Sequence, residues 1–150
     1  LRKSMPGVKG LQIPNSGCAA FTAFISMRQP RPGEAKHAIS IALGVDHYLK
    51  FVVIVDDDVD VFNDSDVIWA MTTRVQADRD LVIIPGALGA ILDPSASEQG
   101  VTAKLGVDAT KPTDDPFAER LRMDAEKMAW ARDLAERLRS PRLQGVPKAV

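Results

Sequence analysis

The feature that most constrains the fold is an uninterrupted run of β-branched and aromatic residues, Phe51-Val52-Val53-Ile54-Val55, which leads directly into Asp56-Asp57-Asp58-Val59-Asp60. Successive side chains of a strand point to opposite faces of its sheet, so a strand without a polar position needs cover on both faces. Such cover is typical of a central strand with helices packed on either side. The run therefore predicts an α/β domain with residues 51–55 as its central strand.

The sequence on both sides of this run alternates between strand and helix patterns. Aromatic and β-branched clusters bounded by glycine or proline indicate strands, and apolar residues at helical spacing indicate helices. Asn63 or Asp64 is the predicted N-cap of the second helix, and Arg74 lies in its last turn. The predicted elements are a short strand within a leading segment of residues 1–18, a strand over 19–27, a helix over 34–43 ended by Gly44, the central strand, a helix over 64–75 and a strand over 81–84.

The chain after residue 85 gives a weaker pattern. Residues 86–116 are rich in glycine and proline with little periodicity, and they predict a long surface loop. An apolar stripe under a charged face then predicts a long C-terminal helix over residues 116–140. Together the elements predict a single three-layer α/β domain, with a core over residues 19–112 and a small mixed sheet flanked by helices.

The composition excludes several classes of function. Nineteen Lys and Arg residues against twenty Asp and Glu leave a formal charge of −1, which gives no global attraction to nucleic acid. Cys18 is the only cysteine, so an internal disulfide and a cysteine-rich zinc site are excluded. No apolar stretch reaches about 18 residues, so we expect no transmembrane segment and a cytoplasmic location. The chain begins at Leu1 without an initiator methionine, and we expect it to continue upstream.

The acidic stretch from Asp56 to Asp60 admits two interpretations. It follows a buried strand, where α/β sheets often bind ligands, and Mg²⁺ or Ca²⁺ prefers carboxylate oxygens. A calcium-loop pattern fails, however, because Val61 and Val67 stand where it needs glycine and glutamate. We therefore predict that these carboxylates cap backbone amides and pair with Arg74 or a lysine, without binding a metal.

Three basic residues are candidates for binding a phosphate: Lys50 before the central strand, Arg74 at a helix end and Lys104 in the predicted loop. Each is equally consistent with a solvated charge or an ion-pair partner. Cys18 and the two histidines, His37 and His47, lack the neighbours that catalysis or metal binding would need. From the residues alone, no reaction can be assigned.

Longer motifs indicate a family. The chain carries Lys50-Phe-Val-Val-Ile-Val-Asp-Asp-Asp-Val-Asp60, then Asp66-Val-Ile-Trp-Ala-Met-Thr-Thr-Arg74, then Asp78-Arg79-Asp80, then Ala103-Lys104-Leu-Gly-Val-Asp108-Ala-Thr110-Lys111. Upstream of these it has Ser26-Met-Arg28 and Pro32-Gly33-Glu34-Ala35-Lys36. In order and spacing, residues 17–112 resemble the C-terminal part of UbiD-type decarboxylases, which include 3-octaprenyl-4-hydroxybenzoate carboxy-lyase.

The resemblance implies a non-oxidative carboxy-lyase that acts on aromatic or α,β-unsaturated acids with prenylated flavin mononucleotide (FMN). It also implies that the proton-transfer residues, and the ligands of a manganese or magnesium ion, belong to an upstream flavin-binding domain of the same chain. We therefore assign no catalytic or metal-binding residue here, and we expect the chain alone to be inactive and without cofactor. Lys50 is the expected contact to the cofactor phosphate, with Arg74 and Lys104 as weaker candidates.

The resemblance further implies a homo-oligomer, with the C-terminal helix packed against another domain or subunit. Two alternatives stay open at this point. One is a non-catalytic assembly or interaction domain derived from the same family. The other is a phosphotransfer enzyme or hydrolase that would need Mg²⁺ at Asp56 to Asp60.

Overall fold

The computed structural model describes residues 5–113, 116–118, 120–121 and 123–139. The chain forms two compact units, Leu1–Phe117 and Ala118–Val150. Among the described residues, the first unit contains the sheet and two helices, and the second contains one helix. In chain order the elements are β1 (Val8–Gln12), a 3-10 turn (Asn15–Gly17), β2 (Thr22–Met27), α1 (Glu34–Val45), β3 (Phe51–Asp56), α2 (Asp64–Arg74), β4 (Leu81–Leu88), β5 (Val101–Ala109) and α3 (Ala125–Leu138).

The five strands form one mixed sheet in the order β1-β2-β3-β5-β4. β2, β3 and β5 are mutually parallel, whereas β1 and β4 are antiparallel edge strands. Ile54 of β3 lies beside Ile25 of β2 and Asp108 of β5. The prediction that residues 51–55 form the central strand is confirmed.

The two faces of the sheet carry separate apolar cores. Val52 and Ile54 face the core that α1 covers, and Val53 and Val55 face the core that α2 covers. The three-layer α/β architecture is therefore confirmed, and the alternation of side chains along β3 is its cause. Close approach of α1 requires Gly106 in β5, because a Cβ built there would lie 1.9 Å from Cγ2 of Ile39.

Two predicted boundaries in the first unit are wrong. Gly44 does not end α1, which continues to Val45 with Asp46 as its C-cap. The strand predicted over 81–84 continues through Pro85 to Leu88, with a register shift between Ile84 and Ala87. An edge strand tolerates proline there, because the missing N–H need not join the ladder.

The predicted loop over residues 86–116 contains β5, which is the largest error. Thr102, Lys104 and Gly106 alternate with Leu105 and Val107 along this strand, so no continuous apolar run is present. Its central place in the sheet comes from pairing with β3 and β4, which are distant in sequence.

The C-terminal helix is shorter than predicted. α3 begins at Ala125 after its N-cap Asp124, whose side chain accepts a hydrogen bond from the amide of Glu126. The described residues between 116 and 124 are not helical, so the predicted start at Pro116 is wrong. The predicted end at residue 140 lies outside the described residues. None of the residues of α3 is buried.

In the part of the chain that the structure describes, no helix is long and apolar enough to cross a bilayer.

Candidate functional site at the carboxyl edge of the sheet

The carboxyl ends of the parallel strands β2, β3 and β5 meet at one edge of the sheet, where open α/β folds bind ligands. A cleft of about 260 Å³ opens at this edge, between the loop after β2 and the residues that follow β5. Five cationic side chains line it, and we call it the basic cleft. They are Arg31, Lys36, Arg74, Arg79 and Lys111.

Arg74 is the buried anchor of this edge. Its Nη1 donates to Oδ2 of Asp56 at 3.0 Å, and its Nη2 donates to Oδ2 of Asp58 at 3.0 Å. Its guanidinium carbon also lies 5.1 Å from the centre of the Trp69 ring. A residue that was predicted to complement a helix dipole therefore ties the end of α2 to the end of β3.

Lys111, which follows β5, completes this ion-pair network. Its Nζ lies 2.8 Å from Oδ2 of Asp58, and its backbone N–H donates to Oδ2 of Asp56 at 2.7 Å. Two cations from distant segments thus share the carboxylates that end the central strand.

The two carboxyl groups respond differently to this environment. Burial raises the pKa of Asp56, and contacts with Lys111 and Arg74 only partly oppose it. Burial alone would also raise the pKa of Asp58, but hydrogen bonds from Arg74 and Lys111 outweigh it, so that pKa lies below its ordinary value. Among the described residues, Oδ1 of Asp56 and Nε of Arg74 are buried without a hydrogen-bond partner.

The structural interpretation of the acidic stretch is confirmed for its ion pairs and only partly for its caps. Asp60 accepts a hydrogen bond from the amide of Phe62, whereas the N-cap of α2 is Asn63, which accepts from Ser65. Within residues 5–113 and the described positions beyond them, no group of three or more acidic, histidine or cysteine side chains could hold a metal ion.

The amino end of α1 also opens into the basic cleft. Its N-cap is Gly33, which has a φ of 80° and offers no capping side chain. Oε2 of Glu34 turns back to accept from the amide of Arg31. The first-turn amides of Ala35 and Lys36 receive no acceptor from the described residues, as is usual for uncapped helix starts.

Lys50 lies at the opposite edge of the sheet. Its Nζ donates to Oδ2 of Asp93 at 2.7 Å and also to Oγ of Ser95. The hydrogen bond from Lys50, together with those from Ser95, lowers the pKa of Asp93 to about 2. Lys50 thus fastens the segment between β4 and β5.

Lys104 is buried beneath the carboxyl end of α1. Its Nζ donates to the carbonyl oxygens of Leu43, Asp46 and His47 at 3.0–3.2 Å. Desolvation lowers its pKa. The contact with Leu43 satisfies a carbonyl group in the last turn of α1 that the helix leaves without a partner.

The structure does not bring the three predicted phosphate-binding residues together. Lys50 and Lys104 lie near the amino end of β3, and Arg74 lies near its carboxyl end, about 20 Å away along a six-residue strand. Their role at a cofactor phosphate stays a prediction.

Four of the five cations of the basic cleft were not singled out from the sequence. Lys36, Arg79 and Lys111 belong to the quoted motifs, and Arg31 lies directly before one of them. A usable signal was available, because Arg31 and Lys111 each follow shortly after the carboxyl end of a strand. That signal needs β5 to be recognised as a strand.

A second concavity, of about 440 Å³ and mostly apolar, lies on the α2 face of the sheet. Its lining includes Phe24, Phe51 and Leu105 from the strands and Ile68 and Met71 from α2. α2 therefore covers only part of this face, and we call the uncovered part the apolar groove.

Comparison with known proteins identifies the family. The profile of the 3-octaprenyl-4-hydroxybenzoate carboxy-lyase C-terminal domain matches residues 1–109. Anhydromevalonate phosphate decarboxylase of Aeropyrum pernix is 46% identical over 114 residues, which are 76% of this chain and 26% of that protein. The chain thus spans about a quarter of the length of this curated relative.

Solved structures agree with the sequence matches. The UbiD-class enzyme HmfF of Pelotomaculum thermopropionicum, in complex with FMN, superposes with a TM-score of 0.78 at 38% identity, over 87% of this chain and 30% of that one. An evolved dimeric form of HmfF with prenylated FMN gives a TM-score of 0.67 at 31% identity, over 84% of this chain and 26% of that one. The chain belongs to the UbiD family of decarboxylases and corresponds to their C-terminal domain.

Proposed function

We propose that this chain is the C-terminal part of a non-oxidative decarboxylase that uses prenylated FMN. The observation that carries the proposal is the 46% identity to a decarboxylase over three quarters of the chain. The flavin-containing HmfF structures, which share the fold, support the choice of cofactor.

We assign the cofactor and its metal ion, manganese or magnesium, mainly to an upstream domain. When bound, prenylated FMN supplies the electron sink for loss of CO2. The acidic stretch does not fit the metal, because Arg74 and Lys111 already engage the carboxylates of Asp56 and Asp58. In this proposal the chain forms the side of the active site that faces the upstream domain.

For the substrate we favour a phosphorylated, α,β-unsaturated carboxylic acid over an aromatic one. The name of the Aeropyrum pernix relative specifies a phosphate-bearing substrate, and that relative is more similar in sequence than the HmfF structure, at 46% against 38%. Unsaturation is what the resemblance to the family implies.

The test is to express the complete reading frame that contains this chain, load it with prenylated FMN, and measure CO2 release. We expect turnover of anhydromevalonate phosphate and none from the 150-residue chain alone. If the complete enzyme releases CO2 only from aryl acids, the substrate assignment is wrong. Turnover by the chain alone would show that the active site has been misassigned.

Lys50 is our proposed contact to the cofactor phosphate. In the complete enzyme, Lys50→Ala should lower the flavin content after purification. Lys9→Ala on edge strand β1 removes the same charge from an exposed position and serves as control. Equal flavin contents in both variants would remove Lys50 from the cofactor site.

A second candidate function, assembly, is favoured by the apolar groove and by the exposed apolar side chains of α3. Trp130 and Leu138 are 65% and 73% exposed. We infer a homo-oligomeric, cytoplasmic enzyme in which α3 contacts another domain or subunit. Sedimentation of a complete enzyme that ends before Ala125 tests this, and an unchanged oligomeric state and stability would contradict it.

A further inference from the structure

The basic cleft carries more hydrogen-bond donors than the fold uses. We propose that it binds the phosphate group of a phosphorylated carboxylic acid substrate. The identity of the substrate rests on the proposed function, whereas the phosphate chemistry rests on the cleft itself.

The first support is the availability of two guanidinium groups. The Arg31 side chain is 88% exposed, and its Nε lies 3.6 Å from Oε2 of Glu34. The Arg79 side chain is 60% exposed, and its Nε lies 3.9 Å from Oδ2 of Asp80. Exposed pairs at such distances contribute little, so both arginines can turn to another anion. Guanidinium groups bind phosphate oxygens in pairs of parallel hydrogen bonds.

The two acidic residues that line the cleft, Asp80 and Asp108, accept hydrogen bonds from their own turns. Oδ1 of Asp108 accepts from the amide and the hydroxyl of Thr110. Oδ2 of Asp80 accepts from the amide of Gln76 at 2.7 Å. These contacts hold both carboxylates in local turns and reduce their competition with a ligand for the cationic side chains.

The second support is the start of α1. The amides of Ala35 and Lys36 have no acceptor among the described residues, and Gly33 leaves the helix start uncovered by a side chain. Free first-turn amides and the positive end of the helix dipole together favour a phosphate. Glu34 in the same turn does not line the cleft, and its Oε2 accepts from the amide of Arg31.

The third support is Arg74, which is only 3% exposed and lines the same cleft. Its Nε is buried without a partner among the described residues, although both terminal nitrogens are paired. A buried N–H without an acceptor is costly, so the Arg74 guanidinium keeps one donor unused at the wall of the cleft and adds a fixed positive charge to it. The volume of about 260 Å³ lies near the lower end of small-ligand pockets, about 300 Å³, and suits a phosphate with a short carbon chain.

The first experiment measures phosphate binding directly on the ¹⁵N-labelled chain. Titration with inorganic phosphate at constant ionic strength should shift the amide resonances of Ala35 and Lys36 saturably. Arg31→Gln combined with Arg79→Gln should weaken binding at least about tenfold, because two charge-assisted contacts are lost.

A matched control removes the same charge from a different helix. Lys127→Gln combined with Arg132→Gln in α3 should leave the phosphate affinity unchanged. The absence of saturable shifts, or equal weakening by both double variants, would overturn the proposal. Neither result depends on decarboxylase activity, so it separates failure of the cleft from failure of the proposed function.

The second experiment distinguishes a substrate phosphate from the cofactor phosphate in the complete enzyme. The Arg31→Gln and Arg79→Gln double variant should raise the KM for the phosphorylated acid about tenfold and leave the flavin content unchanged. A fall in flavin content with an unchanged KM would assign the cleft to the cofactor and refute the substrate assignment.

Discussion

Replacement of Arg74 by methionine should destabilise the first unit more than any other single charge removal at its carboxyl edge. The Arg74 side chain is 0% exposed and that of Asp56 is 3% exposed, with 3.0 Å between the paired atoms. Methionine has a similar length but no charge, so the variant leaves the Asp56 carboxylate buried beside an apolar side chain.

The expected loss in the free energy of unfolding depends on which carboxylate can be rehydrated when Arg74 is removed. The Asp58 side chain is 35% exposed and keeps its contact to Lys111, so breaking its pair with Arg74 costs little stability. Asp56 cannot be rehydrated in place, and removal of one partner from a buried ion pair costs about 3–5 kcal/mol. Domains of this size are stable by only about 5–15 kcal/mol, so the variant should unfold at a much lower urea concentration.

The assay is urea unfolding of the chain followed by circular dichroism at pH 8 and pH 5. Burial already raises the pKa of Asp56, and loss of Arg74 removes one of the influences that lower it. Protonation then relieves the buried charge as pH falls, so the deficit should be smaller at pH 5. Arg28→Met, at an exposed position, is the control and should change stability by less than about 0.5 kcal/mol. A loss below about 1 kcal/mol for Arg74→Met would refute the reasoning.

Three further predictions concern other contacts. Asp93→Asn should lower the free energy of unfolding at neutral pH and remove part of its decline between pH 4 and 2. The pKa of Asp93 is about 2 in the fold against an ordinary 3.8, so the stabilisation by its ionised form is lost as pH falls through that window. Urea midpoints of both proteins across this pH range test the prediction. Gly106→Ala should destabilise the fold by at least about 1–3 kcal/mol, because the new Cβ overlaps Ile39. Gly44→Ala should stabilise it by up to about 1 kcal/mol, because the new Cβ has no other atom within 4 Å and alanine favours the helix. Thermal unfolding that ranks the two variants in the other order would contradict the packing of α1. Lys104→Met should cost about 1–3 kcal/mol, because the buried carbonyl group of Leu43 loses its donor. A change below about 0.5 kcal/mol in urea unfolding would show that water replaces the lysine.

The elements that were predicted correctly are those encoded locally. The apolar run of β3 allowed only a strand covered on both faces, and the periodicity after Asn63 specified α2 and its N-cap. Pairing of the acidic stretch with Arg74 also followed from residue types alone, because buried carboxylates need cationic or amide partners.

The features that were missed depend on neighbours distant in sequence. Nothing local distinguishes β5 from a loop, since Lys104 and Gly106 interrupt its apolar pattern, and each fits only because α1 packs against it. The start of α3 at Ala125 was obscured by the apolar residues upstream, which lie outside the helix.

By itself, the sequence determined the central strand, the two helices that cover it and the family, because short runs of side chains encode these features. Only the tertiary structure decided the site. The sheet brings residues from three segments to one edge, where they line a single cleft: Arg31 and Lys36 after β2, Arg79 before β4 and Lys111 after β5. It also separated Lys50 from Arg74, because they lie at opposite ends of the strand between them. Spacing along the chain does not specify which strand ends become neighbours; strand order and direction do, and these are set by long-range pairing.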